Sequence, residues 1–197
     1  MLDLAVHLRD HIALSLAALA AALAVGIPLG IFLARAPRGR SVALGAVYIA
    51  RVVPSLAVLA LMLPLVGVGF TPAVVALALL AIPPIAINTD LGLRGVPEAV
   101  RDAARGLGMD ERQISARVEW PLALPIVFSG MRTAAIEVVA SATLAAFIGG
   151  GGLGEYIVNG IALNDARELL EGAVSVGILA LAVSAALTRL ERRLAAQ

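Results

Sequence analysis

The residues of this 197-residue chain best able to do chemistry are a few polar groups set inside long apolar runs. Thr133, Glu137 and Ser141 recur at i, i+4 and i+8, so a helix through them carries one polar stripe, with small Gly130 on nearly the same face. A carboxylate there can attract a cation, and an ionisable group among apolar residues is a candidate functional group because exposing it to hydrocarbon is costly. Arg132 lies about 140° around the helix axis from Glu137, so the two are not assumed partners, and each is expected to pair with another helix or a second copy of the chain. Arg51 and Ser55 share a face one turn apart, and Asn88 stands near the end of another apolar run. Two uses fit these groups: lining a path for a polar solute, or joining helices by hydrogen bonds. For Glu137 the two are balanced, and for Arg51 the second is favoured. His7 and His11, one turn apart, have a spacing that can hold a metal, but with no third ligand beside them they read better as two interfacial histidines. Ser, His and acidic residues do not cluster inside the apolar runs, which argues against an intramembrane enzyme.

The elements that position these groups must be membrane helices. Sixty per cent of the residues are hydrophobic and only 15% charged, the mean hydropathy is +0.96, and a water-soluble domain would have about a quarter of its residues charged. All fifteen basic residues are Arg. Without Lys there is no standard P-loop, whose lysine must reach the nucleotide phosphates, so any ATP and Mg must be bound by a partner and no cofactor is expected on this chain. The absence of Cys removes disulfides and thiolate chemistry, and a net charge of +1 gives no reason to expect nucleic acid.

A helix needs about 20 apolar residues to cross the bilayer. Residues 12–34 form the first such run. Residues 52–89 carry no charge and are too long for one crossing, and Pro64, Gly67, Gly69 and Pro72 mark a turn inside them. The expected spans are therefore 12–34, 43–65, 71–89, 121–148 and 172–189, with Arg51 snorkelling from the second. Residues 1–11, with Leu2, Val6 and Leu8, read as a short interfacial helix. The residues before the first span carry Asp3 in place of a positive region, so that span is expected to be retained. Eleven of the fifteen arginines fall on one side: Arg35, Arg38 and Arg40, then Arg94, Arg101, Arg105, Arg112 and Arg117, then Arg189, Arg192 and Arg193. By the positive-inside rule that side is cytoplasmic, with the N-terminus outside and the C-terminus inside. Gly26 and Gly30 form a GxxxG pattern suited to helix packing.

The connection 90–120 is the least membrane-like part of the chain. Glu98 and Asp102 oppose Arg101 and Arg105 at helical spacing, Pro97 suits a helix start, and Gly106 and Gly108 suit its end. Asp102-Ala103-Ala104, then Gly108, then Val118-x-Trp120-Pro121 resembles the EAA loop of ABC-transporter permeases at every spacing, with Asp102 in place of Glu and Trp120 in place of Leu. The resemblance implies an all-α polytopic protein with the type I ABC importer permease fold, one permease domain over 1–197, in a bacterial cytoplasmic membrane. It also implies a coupling helix that docks on a separate ATPase through Glu98, Asp102, Ala103, Ala104, Gly108, Val118 and Pro121.

Further segments narrow the likeness. Pro54-Ser55-Leu56-Ala57, Gly69-Phe70-Thr71-Pro72-Ala73, Asn88-Thr89, Gly130-Met131-Arg132-Thr133-Ala134 and the run from Thr143 through Gly149-Gly150-Gly151-Gly152 to Gly154 resemble permeases of osmoprotectant importers for glycine betaine, choline and carnitine. This implies a translocation path lined by Ser55, Asn88, Thr133, Glu137 and Ser141. Quaternary ammonium groups are typically held in aromatic cages, and the scattered Phe32, Tyr48, Phe70, Trp120, Phe128, Phe147 and Tyr156 do not converge on one. Selection is therefore expected on a separate extracytoplasmic binding protein, docked on 149–171 near Glu155 and Glu168, with two permease subunits, identical or not, forming the working unit. Methionine and other small amino-acid importers are the nearest alternative family. A structural membrane subunit is the remote alternative, and it leaves the EAA spacing unexplained.

Overall fold

The computed structural model describes residues 3–36 and 39–195, and every regular element among them is helical. Leu2 and Arg38 lie outside the described residues, as does the Arg193 side chain. Helix α1 spans Leu4–Arg35, opened by Asp3, whose carboxylate accepts the Ala5 amide at 3.0 Å. The separate interfacial helix expected at residues 1–11 is therefore absent: from Leu4 onward these residues are the first turns of α1, with no Gly or Pro to break the helix before Gly26.

Helices α2 (Arg40–Val52) and α3 (Ser55–Val66) occupy the expected second span, but they meet at 95°. Pro54 supplies the cause, since it disfavours helical backbone at the residue before it, and Val53 is accordingly extended (φ −66°, ψ 125°). The crossing at 43–65 is thus a broken one. A turn through Gly67 and Gly69, both at positive φ, leads to α4 (Phe70–Arg94). Next come α5 (Glu98–Gly106), α6 (Glu111–Ile114), one π-helical turn (Ser115–Glu119), α7 (Trp120–Ser141) and a 3₁₀ stretch (Ala142–Ile148). A glycine turn then leads to α8 (Gly154–Ala162) and α9 (Ala166–Ala195).

Among the described residues four stretches are long and apolar enough to cross a membrane: α1, α4, the continuous helix Glu111–Ile148, and α9; the bent α2–α3 pair makes a fifth when it is counted as one span. The third, fourth and fifth spans overrun the expected limits. Helix α4 continues to Arg94, the fourth begins at Glu111, and α9 draws on both of its flanks. The connection expected over 90–120 therefore shrinks to about its middle half, and the segment 149–171 contains α8.

Helix α4 sits at the centre, between α1 and α7, and is the most buried of the four long spans. Lipid offers no hydrophobic drive to bring helices together, so they associate by close packing, which small residues permit. Gly26 packs on Ile85, and a Cβ on Gly30 would overlap the Thr89 side chain. On the other side a Cβ on Gly130 would lie 2.5 Å from Asn88 Cβ. The GxxxG pair is thus a packing surface. Pro83 and Pro84 remove two donors from α4, and Asn88 and Thr89 bond back to it, donating to the Pro84 and Ile85 carbonyls, each at 2.8 Å.

Candidate functional site

The ion pairs between helices include a tight one and a loose one. Asp90 of α4 is fully buried and accepts twice from Arg40 of α2, Nε to Oδ1 at 3.2 Å and Nη2 to Oδ2 at 2.5 Å. This two-point clamp was missed by reading Asp90 as the first residue of a loop. The signal was present: Pro83, Ala86 and Asp90 stand at i, i+3 and i+7, so continuing the helical period beyond Thr89 turns Asp90 inward.

The loose pair joins Arg51, in the last turn of α2 before the break, to Glu137 of α7 by one contact, Nη2 to Oε1 at 3.4 Å. The side chains are 44% and 40% exposed. Its depth follows from packing. Gly130 lies against Asn88, near the end of α4, and Glu137 is seven residues further along α7, about 10 Å towards the opposite end. The pair therefore sits within the span. Ser55 begins α3 just past the break, and Ser141 ends α7. Thr133 donates to the Ser129 carbonyl at 3.0 Å, so it and Asn88 direct polar atoms to their own helices. Arg132 pairs with α9, donating to Thr188 Oγ1 at 3.1 Å and lying 3.6 Å from Glu191. Both charged residues of α7 thus find partners on other helices, as their separation around the axis requires.

The second candidate region is the connection through α5. Arg101 ties three elements together, donating to the Leu93 carbonyl of α4 at 2.8 Å, to Glu119 of the π turn at 2.8 Å and to Glu98 at 3.0 Å. Arg105 donates to Glu98 at 2.9 Å, Asp102 at 2.8 Å and Glu111 at 3.0 Å. Glu98's carboxyl is held below its usual range, first by the bond from Arg105 and then by that from Arg101. The Arg105 guanidinium is pushed up, first by Glu111, then by Glu98 and Asp102, and that of Arg101 is pushed up chiefly by Glu98. Of the small residues, Ala104 packs inward and Ala103 faces out. Leu107 is 83% exposed, and Gly108 turns the chain at φ +82° with open space around it. Val118 is half-buried in the π turn, and Pro121 is exposed in the first turn of α7. Asp110 caps α6, its carboxylate accepting the Arg112 and Gln113 amides while Gln113 returns a bond to the Asp110 amide.

The third region is the glycine turn. Gly149, Gly151 and Gly152 all adopt positive φ, Gly150 fits between Ala73 and Ala145, and Gly152 lies against His11. The two histidines go to different partners. His7 Nε2 lies 2.9 Å from Glu155 Oε2 with its ring edge-on to Tyr156, whereas the His11 imidazole donates to the Val139 carbonyl at 3.0 Å. His11 is fully buried, and the glycine turn folds over this position. Glu155 is half-buried against His7, and Glu168, half-buried in the first turn of α9, has its amide bonded to Asp165.

Residues 26–196 match the model of a protein family described as binding-protein-dependent transport system inner membrane component. The carnitine transport permease protein OpuCB of Listeria monocytogenes is 43% identical over 98% of this chain and 88% of its own length. The choline transport system permease protein OpuBB of Bacillus subtilis is 43% identical over 94% of this chain and 85% of its own. The osmoprotectant import permease protein OsmW of Salmonella typhimurium is 38% identical over 97% and 93%. Among solved structures, the inward-facing MetNI methionine ABC transporter superposes with a TM-score of 0.85 at 23% identity, covering 97% of this chain and 95% of that one. This likeness establishes the type I ABC importer permease fold.

Proposed function

The chain belongs to the binding-protein-dependent transport system inner membrane components, and from that premise we propose that it is the permease of an ATP-driven importer of quaternary-amine osmoprotectants, glycine betaine, choline and carnitine among them. The relatives that match nearly end to end at about two-fifths identity carry those substrates in their names. The methionine transporter shares the fold at lower identity, which bears on architecture alone.

The observation that carries a transport path is the junction of Arg51, the broken backbone at Val53-Pro54, and Glu137. Lipid tolerates neither non-helical backbone nor exposed charge, so such a face must be covered by protein or line a water-filled passage. Two permease subunits facing one another supply both conditions. Ser55, Thr133 and Ser141 flank the passage, and Asn88 stands nearer its cytoplasmic end.

The ATPase docks on α5, reading Ala103, Leu107 and the turn at Gly108, while the Arg101 and Arg105 networks around Glu98 and Asp102 keep that helix fixed to α4 and the π turn. ATP and Mg are held by that partner, in the cytoplasm of a bacterium. An extracytoplasmic binding protein meets the opposite face near Glu155 and Glu168. The test is uptake of labelled glycine betaine, choline, carnitine and methionine into vesicles holding the permease, its ATPase and its binding protein. Accumulation of the quaternary amines driven by ATP is expected; methionine uptake alone would transfer the chain to the alternative family.

A further inference from the structure

The loose pair inside the span has a shape that suits one subset of the proposed substrates. We propose that Arg51 and Glu137 form a two-charge transit subsite for zwitterionic quaternary amines. Their ion pair opens as the solute passes, the solute's carboxylate going to Arg51 and its trimethylammonium group to Glu137. This inference rests on the quaternary-amine reading above and deepens it.

The contrast between the two ion pairs supports it. Charge-assisted bonds normally close to about 2.7–2.9 Å, often at two points. Arg40 and Asp90 meet at two points, 3.2 and 2.5 Å, on a buried carboxylate, whereas Arg51 and Glu137 meet at a single 3.4 Å contact with both side chains roughly two-fifths exposed. The first pair is a fixed brace; the second holds its charges together while leaving each accessible. A zwitterion presents the complementary two charges, so exchanging the internal pair for two pairs with the solute leaves no charge unpaired at membrane depth.

The neighbours of the two charges differ. Beside Arg51 the chain breaks, and α3 starts at Ser55 with no side chain capping its first turn, so the positive end of that helix adds to the guanidinium in favouring a carboxylate. Beside Glu137 stand the hydroxyl residues Thr133 and Ser141, one turn away on either side.

Choline, a cation without a carboxylate, makes no use of Arg51, and that difference provides the test. The complete transporter, with its ATPase and binding protein in proteoliposomes, is assayed for uptake of glycine betaine and of choline. Losing one charge-assisted bond in Arg51→Gln should lower betaine uptake about tenfold without lowering choline uptake, since choline only competes with Arg51 for Glu137. Arg51→Lys keeps the charge and so guards against misfolding, but it lacks the guanidinium fork; it should lower betaine uptake part way and spare choline. Glu137→Gln should lower both. Equal losses of the two substrates in the Arg51 variants, or an unchanged betaine-to-choline ratio, would overturn the subsite and leave the pair as a helix-joining contact. A wild-type transporter that carries choline alone would overturn this inference and not the quaternary-amine reading. One that carries neither substrate would remove both.

Discussion

At the scale of single residues, position and geometry divide the charges of this chain by task. Asp90 is buried with its two oxygens bonded to one guanidinium, and removing a partner from a buried pair leaves an uncompensated charge at a cost of about 3–5 kcal/mol. Arg40→Ala is therefore expected to lower the thermal stability of the detergent-solubilised protein sharply, followed by loss of monodisperse material on heating. Gly30→Val makes a second residue-level prediction. Its Cβ would overlap Thr89, so α1 must move away from α4, and the variant should insert yet unfold at lower temperature; full wild-type stability would contradict the packing. Glu137 and the polar stripe were legible from spacing alone, because three helical repeats in an apolar run stand out. Asp90 was not, because it follows the last apolar stretch directly, and a span boundary drawn from charge places any carboxylate outside.

The elements show which signals survive tertiary context. The spans were legible through their apolar length, and α5 through its alternating charges and flanking Pro97 and Gly108. The break between α2 and α3 was hidden because Pro54 lies in an uncharged run that hydropathy reads as continuous. The π turn at Ser115–Glu119 carries no sequence signature, and it matters because it brings Glu119 to Arg101. Arg101→Ala should loosen α5 from α4 and the π turn at once, lowering transport several-fold while ATPase activity of the assembled complex persists; the ratio of solute moved to ATP hydrolysed is the measurement. Gly108→Trp, which fills the open turn with a bulky ring, should lower ATPase retention on co-purification. For Glu98 the sign is set by its depressed titration: its contribution is complete above the ordinary carboxylate range and lost as pH falls through the lowered value. Neutral Glu98→Gln should accordingly speed amide hydrogen exchange over 98–106 at pH 7.

Across the whole molecule, α4 is the shared wall against which α1, α2, α3 and α7 are arranged, and the α5 connection and the glycine turn lie at opposite ends of it. The orientation that arginine counting implies can be read directly, because the chain has no Cys. A cysteine at Leu107 should react with an impermeant thiol reagent from the cytoplasmic side alone, and one at Asn164 from the outside alone; the reverse pattern would invert the topology. The partners of these two ion pairs are also spaced very differently along the chain. Arg40 and Asp90 are 50 residues apart, whereas Arg51 and Glu137 are 86 apart. During synthesis the ribosome delivers Arg40 first, so Asp90 finds its counter-charge as soon as α4 emerges, and α1, α2 and α4 can lock together before α7 exists. Glu137 arrives later, at a half already assembled, and meets an arginine that has been waiting for it. Synthesis from the N-terminus thus delivers both partners of the tight pair before the loose one is complete.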